Sequence, residues 1–310
     1  MKNPICYRVT ALSDLWTGDV DGKRERIITT GLLGSIRWWF EVLVRGLGGS
    51  ACDPTATKCE GRDHCVVCEL FGCTVWARKF RFEVLDENGE IKTSQIQQNQ
   101  TFSLRFTPLR PIWEEERTLL DATLRLIAEY GAIGGKTVFK PTDEANRASI
   151  LYHKDYGLVQ MTIQQFNGAS REDLGAYLSL SKWRKVDHGE FTWASLQHFW
   201  CVNGKYLGRQ NHDKSTFNKV LGRKEAKNQG QQFHNSTTDV DRWVAGSQQE
   251  SKKVFSFKAP ARTFGFVNPG LINSDAMKKR LQGVWGKDGW EFLTGKNIID
   301  RLFVKEEDCS

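Results

Sequence analysis

The sequence predicts an α+β fold in which strands and helices follow the order β-α-β-β-α-β. Three observations carry this. Short segments alternate apolar and polar residues with a period of two, as half-buried strands do. Two longer segments repeat apolar residues at i, i+3, i+4 and i+7, the stripe of an amphipathic helix. Glycine, proline and asparagine fall between them, where the chain must turn.

The first strand is expected from about 4 to 12, where Ile5, Tyr7, Val9 and Ala11 alternate with Cys6, Arg8 and Thr10. A basic loop with Lys23, Arg24 and Arg26 follows. The run Gly31-Leu-Leu-Gly34-Ser35-Ile-Arg37-Trp38-Trp39-Phe40 then opens a helix expected over 34–47. Its inner face is Ile36, Trp39, Phe40, Leu43 and Leu47. Ser35 or Thr30 is placed to cap the start, and Gly48-Gly49 to stop it. Arg37, Glu41 and Arg45 lie four apart and predict an ion-pair ladder. A glycine-rich turn before a helix start presents N–H groups suited to phosphate.

Phe80, Phe82 and Val84 mark a second strand, and Asp86-Glu-Asn-Gly89 carries an Asn-Gly turn signal. The third strand is expected at 101–107. A second helix covers 114–130, with Glu114, Glu115 and Glu116 in the first turn, where the helix dipole favours acids. Tyr152–Met161 supplies the last strand. This order is the ferredoxin-like arrangement, which many unrelated functions share.

A chain of 310 residues is long enough for two domains. We place the first at 1–161, with a cysteine-rich insert at about 50–74. The second, a basic α+β domain, spans 162–310. In it helices are expected at 170–183 and 275–286, a strand at 254–258 with a hairpin partner at 263–267, and a long polar loop at 203–252. No tandem repeat is visible. No apolar run reaches bilayer length, and the start Met-Lys-Asn-Pro has no signal-peptide core, so a cytoplasmic protein is expected.

The net charge of +7 lies wholly in the second part. Residues 1–200 hold 25 basic and 25 acidic residues, and 201–310 hold 19 against 12. Such an excess, with Lys219, Arg223, Lys224 and Lys227 in one polar stretch, fits a polyanion partner.

Five of the eight cysteines fall between Cys52 and Cys73, which argues for metal over a disulfide framework. Cys52, Cys59, Cys65 and Cys68 have the spacing C-x6-C-x5-C-x2-C. Four thiolates suit a structural zinc (Zn2+) with no position open for catalysis. His64 and Cys73 compete as ligands.

Gly131-Ala-Ile-Gly134-Gly135-Lys136-Thr137 is one residue short of a phosphate-loop motif and follows a helix where that motif needs a strand, which argues against nucleotide hydrolysis. The same loop, with Lys136 and Lys140, suits a nucleic-acid backbone. Asp187-His188 is an adjacent acid–histidine pair in a polar loop, and no catalytic triad or paired-carboxylate spacing stands out.

Thr30-Gly31-x2-Gly34-Ser35-x-Arg37-Trp38-Trp39, with Leu70-Phe71-Gly72 and then Trp76-x-Arg78-x-Phe80, resembles the Cmr-one family. These are RAMP-superfamily subunits of type III-B CRISPR effector (Cmr) complexes. The likeness runs from Trp16 to Phe82 and resumes at Gly131–Gly135. It implies RRM-like modules that bind RNA, without catalysis, beside other Cmr/RAMP subunits at the end holding the 3′ region of the guide (crRNA). There the subunit helps engage target RNA. By position it implies RNA contact through Gly31, Gly34, Ser35, Arg37, Gly134 and Gly135; Trp38 is a candidate to stack on a splayed base, and Lys23, Arg24 and Arg26 of the basic loop are further candidate RNA contacts. Lys136, Thr137 and Lys140 stand where many members read Gly-Ala-Arg with further glycines. Two other readings remain: a metal-independent ribonuclease using Asp187-His188, and a zinc-stabilised scaffold that contacts only proteins.

Overall fold

Alternating residues of β1 (Ile5–Ala11) set the first sheet: Tyr7, Val9 and Ala11 are buried, while Cys6 and Arg8 face solvent. The computed structural model describes residues 3–18, 22–52, 59–137, 140–162, 168–186, 191–210, 214–223, 238–246 and 250–303. After β1 come α1 (Thr29–Gly46), α2 (Val66–Phe71), β2 (Phe80–Leu85), β3 (Thr101–Pro108), α3 (Glu114–Tyr130) and β4 (Val159–Thr162). The antiparallel sheet has the order β2-β3-β1-β4, the ferredoxin-like order predicted, with α2 inside the cysteine insert. Register pairs Tyr7 with Leu104, Val9 with Phe102 and Phe82 with Phe106, so apolar residues share one face. The Asn-Gly turn forms, with Gly89 at φ 83° and the Asp86 carboxylate accepting from the Asn88 and Glu90 amides.

Helix α1 begins five residues earlier than its glycines suggested. Neither Ser35 nor Thr30 caps it; both lie inside the helix, and Ile28 is the N-cap residue with no side-chain cap. The apolar stripe accounts for the extension, because Leu32 and Leu33 are already buried and carry the helix back through Gly31 and Gly34. Likewise β4 is shorter than expected, with a single 3₁₀ turn at Leu151–His153.

The second part runs α4 (Arg171–Leu178), β5 (Phe199–Asn203), α5 (Thr216–Val220), α6 (Asp239–Ala245), β6 (Val254–Lys258), β7 (Ala261–Phe266), α7 (Ser274–Trp285), β8 (Leu293–Thr294) and α8 (Gly295–Leu302). Its sheet has the order β6-β7-β5-β8, which repeats the first sheet strand for strand. The expected helix at 170–183 ends at Leu178, and the polar stretch 203–252 holds α5 and α6 where only a loop was expected.

Helix α1 lies between the two sheets. On one side Phe40 edges against Phe71, which packs on Phe80 of β2, with centroids 5.1 and 5.6 Å apart. On the other, Trp39 meets Phe199 and Phe264 at 5.6 and 5.7 Å, and Trp38 meets Phe266 at 5.6 Å. This double burial explains why Glu41 and Arg45 are buried and why the predicted ladder is needed. Arg37 and Arg45 both pair with Glu41, at 3.0 and 3.6 Å. Among the described residues no helix is long and apolar enough to cross a membrane.

Candidate metal centre and nucleic-acid interface

The four predicted cysteines converge. Their sulfurs lie within 4.8 Å of one another, and all four residues are buried. Zinc–sulfur bonds of roughly 2.3 Å in a tetrahedron put sulfurs about 3.8 Å apart, and Cys52 and Cys68 stand at 3.4 Å, so the donor set fits such an ion. Cys65 is the N-cap of α2 and Cys68 lies in its first turn, which brings the C-x2-C pair to one point. Backbone amides support the sulfurs: Cys52 N–H donates to Cys65 Sγ at 3.4 Å and Cys65 N–H to Cys59 Sγ at 3.3 Å. Without a cation the sulfurs cannot all ionise: hydrogen bonding to Cys65 holds the Cys52 and Cys59 thiols high while Cys65 is held low.

The competing ligands are engaged elsewhere. His64 is bonded through Nδ1 to the Gly61 carbonyl at 2.6 Å and through Nε2 to Glu69 at 2.8 Å. Glu69 pairs with Lys79, Lys79 with Glu116, and the Tyr177 hydroxyl donates to Glu116. This chain of buried groups fastens the insert to α3 and α4. Cys73 stands outside the sulfur cluster in a half-buried turn closed by its backbone pairing with Trp76.

Arg37 also points to this centre. Its Nη2 lies 3.2 Å from Cys68 Sγ and 3.7 Å from Cys52 Sγ, and its Nη1 donates to the Gly72 carbonyl at 2.9 Å. The residue read as a phosphate contact is thus folded back onto the cysteines.

The other glycine-motif residues assemble into one cavity of about 230 Å³. Helix α1 contributes Gly31, Ser35 and Trp38, and the loop after α3 contributes Gly134, Gly135 and Thr137. The two motifs touch directly: the Gly134 amide donates to Ser35 Oγ at 3.1 Å. Only glycine fits this loop. Gly134 has φ +113°, and a Cβ on Gly135 would lie 2.7 Å from the Thr17 carbonyl. The Lys136 amide donates to the Trp16 carbonyl at 3.1 Å, and its side chain crosses Gly18 at the edge of this loop.

Gly34 is exposed one turn along α1. Lys23, Arg24 and Arg26 stand in the loop leading to α1, where the Lys23 carbonyl accepts from the Trp16 indole at 3.1 Å, Arg24 lies 3.9 Å from Asp14 and Arg26 pairs with Ser94. Lys140 lies instead over the Phe217 ring of the second part. Asp187, His188, Lys224 and Lys227 lie outside the described residues, while Arg223 donates to the Ala245 carbonyl at 3.0 Å. Sequence reasoning missed the cavity's remaining wall, Phe255 and Phe264, which sit opposite each other on β6 and β7 with rings stacked at 5.0 Å. The alternation that marked Phe255 as part of a strand could not show which motif it would face.

The fold and site define a double ferredoxin-like protein with a buried four-cysteine cluster and a glycine-lined, aromatic cavity. Residues 8–139, which hold most of β1, α1, β2, β3 and α3, match the family model of the RAMP superfamily. Among solved structures the chain is similar to Cmr1 from Pyrococcus furiosus in its apo form, at 10% identity and TM-score 0.45, over 92% of this chain and 99% of that one. It is also similar to the Csm3–Csm4 subcomplex of the type III-A CRISPR-Cas interference complex, at 15% identity and TM-score 0.28, over 51% and 74%. No curated protein sequence matches it.

Proposed function

We propose that this protein is a non-catalytic, RNA-holding subunit of a type III-B CRISPR effector complex in the cytoplasm. It works beside other Cmr/RAMP subunits at the guide's 3′ end and helps to engage target RNA. One observation carries the reading: two glycine motifs about a hundred residues apart line one aromatic cavity. The RAMP match over 8–139 and the motif resemblance support it. Trp38 and Phe255 offer faces on which a base can stack, and α1 starts beside the cavity with no side-chain cap, where its dipole favours phosphate. Among the residues lining the cavity there is no histidine or carboxylate to act as base or acid. We assign zinc to the four cysteines; when bound it supplies structural closure, since four thiolates leave it no site for an activated water.

The test is single-strand RNA binding by the purified chain across a salt series. Lys136→Ala is expected to weaken binding and to reduce the salt slope by roughly 0.7, the share of one phosphate contact. A chain that binds no RNA would favour the protein-only scaffold. A chain that cuts RNA at defined sites, and loses cutting with His188→Ala, would favour the ribonuclease.

A further inference from the structure

Arg37 spends its guanidinium inside the protein. Nε donates to Glu41 at 3.0 Å, Nη1 to the Gly72 carbonyl at 2.9 Å, and Nη2 faces Cys68 and Cys52 Sγ at 3.2 and 3.7 Å. Two turns further along α1, Arg45 reaches the carbonyls of Ala51 and Cys52 at 3.4 and 3.5 Å. One edge of the helix therefore holds Cys52 by both its sulfur and its backbone. Four thiolates around a divalent cation carry a net charge of −2 in a buried site, a state that needs a nearby cation. The ladder of two arginines and one glutamate has a net charge of +1 to offer, and its Arg37 end is the one on the sulfurs.

We propose that Arg37 is a positioning residue of the metal centre: it offsets the tetrathiolate charge, orients Cys52 and Cys68, and so tightens metal binding, instead of contacting RNA. This rests on reading the cysteines as a metal centre. The same contact fixes that centre to the helix whose next residue, Trp38, lines the cavity. Outer groups that hydrogen-bond metal ligands typically change affinity by about 10- to 100-fold.

The experiment uses the full chain. Metal content is measured first, then zinc retention against a competing chelator, and then the sulfur-to-metal charge-transfer band of the cobalt-loaded protein. Arg37→Gln is expected to weaken zinc retention by about 10- to 100-fold, to shift the cobalt band, and to leave the salt slope of RNA binding as in the wild type. Arg37→Lys, which keeps the charge but loses the planar fork, is expected to do the same to a smaller degree, and carries the test if Arg37→Gln does not fold. Glu41→Gln, which cuts the ladder but not the sulfur contacts, should cost stability and leave the band in place. Unchanged retention and an unmoved band in both Arg37 variants would overturn the proposal while leaving the metal centre intact. So would a salt slope reduced by roughly 0.7 with retention unchanged, the signature of a phosphate contact. A wild-type chain that holds neither zinc nor cobalt would overturn the metal reading and this proposal together.

Discussion

The two sheets share one strand order and meet opposite surroundings. On the first, the face away from the core carries Cys6, Arg8, Arg81 and Arg105, with Glu83 held between the last two at 3.3 and 3.0 Å. On the second, one face carries Phe199, Phe255, Phe257, Phe264 and Phe266 and is covered by Trp38 and Trp39 of α1. Trp200 and Val202, which point the other way, are equally buried, so this sheet is covered on both faces. An aromatic sheet face in this topology is a familiar platform for single-stranded RNA. Here protein already occupies it, and Phe255 alone of the five is only half-buried, at the cavity. On the proposed reading, the same topology keeps its aromatic face for packing and takes nucleic acid at the seam between sheets.

Metal removal separates the two parts most. Structural zinc is worth about 10–16 kcal/mol in small peptides. Chelation or Cys65→Ser should therefore strip amide-exchange protection from residues 59–79 while β5 to β7 keep theirs. Identical exchange before and after chelation would remove the metal from the account. Next comes the seam. Trp39→Ala deletes the ring by which α1, the helix between the sheets, packs on Phe199 and Phe264 of the second one, at about 3–5 kcal/mol, and should split a single denaturation into two steps. A loss below about 1 kcal/mol would mean that the parts are stable independently.

Phe255→Ala tests where contact with RNA falls. Loss of one stacking ring should weaken RNA binding by about 1–3 kcal/mol, whereas Arg8→Ala on the exposed face of the first sheet should leave it unchanged. The reverse pattern would return RNA to the sheet face. The smallest effect concerns Asp143, which accepts from Lys258, Tyr206 and Gln210 and ties the loop after Lys140 to the second part. Burial alone would raise its carboxyl, but these hydrogen bonds outweigh burial and hold it below its ordinary value. Its stabilising contribution is therefore complete above the ordinary carboxylate range and is lost as pH falls through the lower folded value. At under about 1 kcal/mol for a partly exposed pair, the stability gap between wild type and Asp143→Asn should be full above about pH 5 and shrink as pH falls below about 4. A gap that stays constant would show that Asp143 does not titrate with the tether.

The first sheet was legible because its strands are half-buried and alternate, and the cysteine set because Cys65 and Cys68 lie on one helix start. The repeat in the second part was not. Phe199-Trp-Cys-Val202 is buried on both faces and reads as a continuous apolar run with no period of two, and β8 is two residues long. The site was half legible. Gly31, Ser35, Trp38, Gly134, Gly135 and Thr137 do meet, but local spacing gave no hint that Arg37 would turn from that surface toward Cys68. The start of α1 was misplaced because glycine reads as a breaker, while burial of Leu32 and Leu33 decides the matter.

Helix α1 also fixes an order of events during synthesis. Trp38 and Trp39 leave the ribosome long before Phe199, Phe264 and Phe266, the rings that cover them. At roughly 5–20 residues per second the helix waits about 10–45 s for its second wall. For that interval the first sheet can close on one side of α1 while the tryptophans on the other side stay uncovered, a sticky surface that a trigger-type chaperone or a stalled neighbour would meet first.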